Sequence, residues 1–299
     1  MTEQIAQANG IEIAYETFGD PERPAILLVM GLGVQMLGWP DEFCELLADR
    51  GFHVIRFDNR DVGRSTKIEG GPPPDLAAAM MTGDASSASY TLDDMANDAF
   101  GLLDHLGIEA AHVVGISMGG MIGQTMAIGR PERVLSLTSI MSTTGDRAVG
   151  QPLAEVLPVL VTPAPADRPG FVDHAVSMWR VIASPGFPFD EERIRLLAGA
   201  SYERSYHPAG FGRQLLAIAA SGDRTEALGA VRVPTLVIHG KEDPLITVSG
   251  GEATARAIPD AELMVIPGMG HDLPLALWPQ VIDAIVQNTA RAASPSEIA

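Results

Sequence analysis

The stretch AHVVGISMGGMIGQTMAIG, residues 111–129, decides the fold. Its first half contains HVVGI, an apolar run of strand length, and Met118 to Ile128 follow a helical pattern that ends near Gly129 and Pro131. Between strand and helix, Gly115, Ile116, Ser117, Met118 and Gly119 form a G-x-S-x-G turn. So sharp a turn holds the serine in strained backbone geometry, and a Cβ on either flanking residue would crowd neighbouring backbone, so glycine stands on both sides. The turn exposes the Ser117 hydroxyl and points the start of the helix at it. The Met118 amide and the positive end of the helix dipole are therefore candidates to stabilise a developing oxyanion.

Working outward, β-type runs alternate with helical patterns: IEIAYETF from residue 11, AILLVM from 25, a helical segment from Trp39 to Arg50, HVIRFD from 53, and a helix from Leu92 to Leu106. That alternation predicts a mostly parallel central sheet with helices on both faces, the first run pairing antiparallel at an edge. A strand from Val134 to Ile140 continues the pattern, which then stops. Residues 144–228 are helical in character and broken by Pro and Gly, with no convincing strand. Strands return at Pro234 to His239 and Leu263 to Ile266, before a last helix over Leu275 to Thr289. We therefore expect an α/β core domain over 1–143 and 229–299, with a helical cap domain over 144–228 lying across the carboxyl ends of the strands. Thr66 to Ser89, rich in Pro, Gly and small residues, reads as a surface excursion near the site mouth, and the tail from Arg291 as frayed.

Composition narrows the function. The formal net charge of −18 makes nucleic acid and anionic membranes poor partners, because both are bound by neutralising phosphates with Lys and Arg. Apolar runs fall far short of the roughly 20 residues that span a membrane, and the first ten residues carry no signal-peptide core, so a cytoplasmic location is expected. The single cysteine, Cys44, excludes an internal disulfide and a zinc site built on paired cysteines, and no metal or cofactor is expected.

A serine hydroxyl is a weak nucleophile and needs a base within hydrogen-bond reach. His271, in the loop PGMGHDLP past the last strand, is the candidate; His239 ends a strand and reads as structural, and the other histidines fall at strand starts, in helices or in the cap. The acid expected between cap and histidine is Asp243 of GKEDPL, where Pro244 fixes the turn, with Glu242 as its rival. The second oxyanion donor is expected from Gly31, Leu32 and Gly33, the Leu32 amide first and Gly33 next. A strand followed by GLG also imitates a dinucleotide fingerprint, but the third glycine position holds Met36 and the helix starts late, near Pro40, so nicotinamide binding is set aside.

Taken together, GISMGG, VMGLG, RFDNRDVGRS, HGKEDPL and PGMGHDLP resemble the α/β-hydrolase superfamily over nearly the whole chain outside the cap. Through LGWPDEF, HVIRFDNRDVGRST, AHVVGISMG and WRVIASPGFPFD the chain is similar to aclacinomycin methylesterase-type esterases. The resemblance implies a triad of Ser117, Asp243 and His271, and a serine esterase acting through an acyl-enzyme on a hydrophobic small-molecule ester. It departs from that type at Leu32, where a small glycine is usual, and Asp61 stands where the superfamily has glycine, read as a local turn change. Trp179, Phe187, Phe189, Leu245 and Met269, with Gly31 and Gly33, are candidate pocket residues, joined by Met178, Tyr202 and Tyr206 of the cap. A lactonase, a carbon–carbon bond hydrolase or a cofactor-free perhydrolase would use the same three residues. A non-catalytic binding protein on the same fold is the alternative of another class, and the oligomeric state stays open.

Overall fold

Side chains alternate across a strand, and the central strands here are buried at nearly every position, so each of them is covered on both faces. The computed structural model describes residues 3–292. Its single sheet has eight strands: β1 (Gln4–Ala8), β2 (Ile11–Phe18), β3 (Ala25–Val29), β4 (His53–Phe57), β5 (Ala111–Ile116), β6 (Val134–Ile140), β7 (Thr235–Gly240) and β8 (Glu262–Ile266). They lie in the order β1-β2-β4-β3-β5-β6-β7-β8. The β1/β2 and β2/β4 pairs are antiparallel, and the remainder are parallel. The run from Ile11 pairs antiparallel as expected, but it is not the edge. Gln4–Ala8, too short and polar to stand out, pairs outside it with two of its five residues buried.

Parallel pairs need crossovers, and the helices supply them. In chain order they are α1 (Asp41–Ala48), α2 (Leu76–Thr82), α3 (Leu92–His105), α4 (Met118–Gly129), α5 (Leu157–Val161), α6 (Arg168–Ile182), α7 (Glu191–Arg204), α8 (Pro208–Ser221), α9 (Thr225–Leu228), α10 (Ser249–Ala257) and α11 (Trp278–Ala290). Leu27, Val29, Ile55 and Val113 face one apolar layer with Phe100 and Leu103 of α3 and Ile122 and Met126 of α4. Ile26, Leu28, Val54 and Val114 face the other, with Phe43 and Leu47 of α1 and Val281 and Ile285 of α11. The period of two thus divides the core into two layers. Helix α10, whose glycines and small residues hide its pattern in the sequence, is the crossover that the parallel β7/β8 pair requires. The excursion after Thr66 contains α2, capped by the Asp75 carboxylate accepting from the Ala78 amide.

Residues of the expected cap form α5 to α9 and contribute no strand. The two ends of this segment are not alike. Helices α6 and α7 pack chiefly on each other, whereas Ala217 of α8 and Leu228 of α9 join the apolar layer of the sheet. Among the described residues no helix is long and apolar enough to cross a membrane. The expected fraying beyond Ala292 lies outside the described residues.

Candidate active site

Four loops leave the carboxyl ends of β3, β5, β7 and β8, the edge where open α/β sheets gather ligands. The turn after β5 carries Ser117 at φ 55° and ψ −119°, a left-handed conformation that costs a β-carbon-bearing residue about 1–3 kcal/mol. Its surroundings over-determine it. The Ser117 amide donates to Ile140 O at 2.9 Å, and Gly120 and Met121 N–H groups return to Ser117 O. The flanking glycines are there for space: a Cβ on Gly115 would fall 2.1 Å from Gly119 O, and one on Gly119 would fall 2.1 Å from Val29 O. Both obstacles are backbone and cannot step aside. Ser117 itself is half-buried, at the first turn of α4.

His271 reaches it from the loop after β8. His271 Nε2 lies 3.1 Å from Ser117 Oγ, and Nδ1 lies 2.7 Å from Asp243 Oδ2. An imidazole whose Nδ1–H donates to the carboxylate keeps a lone pair on Nε2 for the serine proton. Asp243 is buried after β7, and its other oxygen accepts the Leu245 and Ile246 amides, each at 2.9 Å. Burial pushes this carboxyl up, but the charge of His271 and hydrogen bonds from His239 and His271 outweigh it and hold Asp243 at about 2. Glu242, the rival acid, is exposed and accepts the Gly268 amide at 2.6 Å, so it ties the acid loop to the histidine loop. His239 sits behind the acid: its Nε2 donates to Ile246 O at 2.7 Å and lies 3.5 Å from Asp243 Oδ2.

The depressed acidity of Asp243 carries a stability consequence. A carboxyl that is more acidic folded than unfolded takes up protons on unfolding, so its stabilisation is full above the unfolded value of about 3.9 and fades toward about 2. The melting-temperature advantage of the parent over Asp243→Asn is therefore expected at neutral pH and to shrink between about pH 4 and pH 2. Thermal melts across that window check it; an advantage that stays constant contradicts it.

The loop after β3 meets the serine directly. A Cβ on Gly31 would come 3.2 Å from Ser117 Cβ, and the Asn59 side chain holds the strand end by donating to Met30 O at 2.9 Å. The Met118 amide, first in α4, is one of the N–H groups a helix leaves without an internal acceptor. Among the described residues the Leu32 amide likewise meets no acceptor. The Gly33 amide is different: Gln214 Oε1 of α8 accepts it at 2.8 Å.

Helix α6 grips the histidine loop, which the sequence reading did not anticipate. The His271 amide donates to Ile182 O at 2.7 Å, Gly270 N–H donates to Ser184 Oγ at 2.8 Å, and Asp272 Oδ1 accepts the Ser184 amide and hydroxyl. Glycine at 270 makes this approach possible, since a Cβ there would lie 2.6 Å from Ala183 O. Asp61 is more than a local turn change. It is buried at φ 68°, accepts the Ile68 amide at 2.8 Å, and lies 3.3 Å from Arg213 Nη1 of α8.

The candidate pocket residues separate. Phe187 is half-buried beside the histidine loop, where the Gly186 amide donates to Gly268 O, and Leu245 is half-buried next to the acid. Met269 is fully buried in the layer beneath the histidine loop. Phe189 lies under the Arg180 guanidinium, 4.6 Å from its ring centre, and Trp179 is half-buried on α6. Tyr202 and Tyr206 meet Phe171 in a three-ring cluster between α6 and the end of α7.

Comparison with known proteins identifies the family. Rhodomycin D methylesterase DauP of a Streptomyces species is 32% identical, over 93% of this chain and 94% of its own length. Rhodomycin D methylesterase DnrP of Streptomyces peucetius gives the same identity and coverage. The 3-oxoadipate enol-lactonase 2 of Acinetobacter baylyi is 28% identical over 87% of this chain and 86% of its own. Among solved structures, the enol-lactonase of Burkholderia xenovorans superposes with a TM-score of 0.76 over 96% of this chain and 100% of that one, at 22% identity. The profile of the alpha/beta hydrolase fold matches residues 24–275, the span that holds every loop described above. The chain belongs to the α/β-hydrolase fold family.

Proposed function

We propose that this protein is a serine carboxylic-ester hydrolase that works through an acyl-enzyme on a hydrophobic small-molecule ester, with Ser117, His271 and Asp243 as its catalytic residues. One observation carries the reading: His271 Nε2 at 3.1 Å from Ser117 Oγ while Nδ1 is 2.7 Å from the Asp243 carboxylate. Ser117 Oγ attacks the ester carbonyl as His271 takes its proton, and the amides of Leu32 and Met118 receive the negative oxygen. Collapse expels the alcohol, which leaves with the proton from His271. Water then gives a proton to His271 and attacks the acyl group; the acid departs and Ser117 recovers its hydrogen. Apart from the attacking water, each step uses side chains and amides of this chain.

The methylesterase relatives support an ester with a small alcohol portion. The enol-lactonase relative supports a second reading, a cyclic ester opened by the same steps. Half-buried Phe187, Leu245 and Trp179 are apolar surfaces suited to the body of such a substrate, and a cytoplasmic location belongs to the same proposal. A panel of p-nitrophenyl esters of rising chain length, methyl esters and lactones tests it. Turnover of one ester class, abolished by Ser117→Ala, is expected; no hydrolysis of any member, or hydrolysis untouched by that substitution, would overturn the proposal.

A further inference from the structure

We infer that Gln214, on helix α8, is a positioning residue that holds the oxyanion turn after β3 in its working conformation. The inference rests on the esterase reading, with the Leu32 amide as an oxyanion donor. The turn runs from Gly31 to Val34 and is closed by the Val34 amide donating to Gly31 O at 3.4 Å. Its third residue, Gly33, has φ +70°, while Leu32 keeps the ordinary negative sign, the combination that defines a type II turn. Between the type I and type II forms only the central peptide, Leu32 to Gly33, rotates. Glycine at the third position offers little resistance to that rotation.

The group that decides the orientation is the Gly33 N–H, and Gln214 Oε1 accepts it at 2.8 Å. A rotated peptide would turn its N–H away and present a carbonyl oxygen to the glutamine. Gln214 cannot answer by reversing its amide, because Nε2 donates to Arg60 O at 2.8 Å. Nor can water replace the partner, since the Gln214 side chain is fully buried. The segment carrying Arg60 is itself fixed: Arg60 forms a buried two-pronged pair with Asp98 of α3 at 2.6 and 2.7 Å. Beyond the turn, Gln35 Nε2 donates to Ser201 O and Ser205 O at the end of α7. The oxyanion turn is thus pinned by two helices of the 144–228 segment.

The Leu32 amide lies in the preceding Gly31–Leu32 peptide, so the Gln214 bond acts on it by fixing the neighbouring Leu32–Gly33 peptide and with it where Leu32 sits against the developing charge. Weakening the Gln214 bond therefore depopulates the donor-ready turn, which matters to the transition state more than to ground-state binding. Gln214→Met, similar in shape but without the acceptor, is expected to lower kcat about 10- to 100-fold with KM within about threefold, less than outright loss of a donor. Gln214→Glu, neutral in so buried a place, keeps an oxygen for the Gly33 amide and a hydrogen for Arg60 O, and is expected to recover kcat to within about threefold of the parent. Affinity for an alkyl trifluoromethyl ketone, which forms a charged adduct on the serine, is expected to follow kcat/KM through both variants.

Should circular dichroism show Gln214→Met unfolded, Gln214→Asn withdraws the acceptor by one methylene and carries the same expectation of a kcat loss without a KM change. Parent-like kcat in the folded variants, equal losses in Met and Glu, or ketone affinity unmoved while kcat falls would each overturn the assignment. A parent with neither ester turnover nor ketone binding would overturn the esterase reading along with it; a fully active parent matched by its Gln214 variants would overturn this inference alone.

Discussion

Ser117→Ala is expected to lower kcat for ester hydrolysis by about 10⁵- to 10⁶-fold while the protein stays folded and binds substrate with little change. The size follows from what is removed. Without an Oγ no acyl-enzyme forms, and His271 is left beside a methyl group, able at most to assist water from a poor position. The fold should tolerate the change, because the flanking Gly115 and Gly119 carry the tight backbone contacts and, among the described residues, the serine side chain makes only the His271 hydrogen bond. Steady-state kinetics on the best ester of the panel, with a thermal melt beside it, check both halves. Retained turnover would contradict the role of the serine, and lost folding would contradict the account of the turn.

Asp243→Asn is the second large effect, with kcat expected to fall about 10⁴-fold. The carboxylate accepts from His271 Nδ1, so the imidazole carries its proton there and leaves Nε2 free to act as base. A carboxamide can present its NH₂ instead, which favours the opposite tautomer and puts a hydrogen where the serine proton must go. Electrostatics add to this. The imidazolium formed during attack sits 2.7 Å from a carboxyl whose acidity is held at about 2, so it is stabilised in a buried setting that asparagine cannot reproduce. A decline of less than tenfold would mean that Asp243 does not orient the histidine.

The central fold and the three side chains that converge at the candidate site were legible because each is written locally. Gly115 and Gly119 mark a turn between an unmistakable strand and helix, and Asp243 and His271 each follow directly on an apolar run that can only be a strand. The order of those runs along the chain forces their carboxyl ends to one edge. The elements that were not legible are held by distant partners. Gln4–Ala8 becomes a strand because β2 offers it an edge, and α10 exists because two parallel strands must be joined, though its own residues carry little apolar pattern.

The same contrast runs through the site. The sequence does not show why Gly270 is glycine: it admits the backbone of Ala183, just past α6. Gln214 and Gln35 gave no signal at all, since a buried glutamine is recognisable only when the backbone groups it joins are known. Asp61 did signal, by standing where the superfamily has glycine, but its tie to Arg213 lies more than a hundred residues away. The aromatic residues of the 144–228 segment illustrate the limit most plainly. Composition counts them as apolar surface, while packing assigns Phe189 to Arg180 and joins Tyr202 and Tyr206 to Phe171.

The most direct test is to quench the protein with acid during turnover of a p-nitrophenyl ester and weigh it whole and after digestion. An added acyl mass confined to the peptide that contains Ser117, absent in Ser117→Ala, is the expected result. Rapid ester turnover with no adduct on that peptide, or with the adduct on another residue, would mean that the three converging side chains do not perform the covalent step.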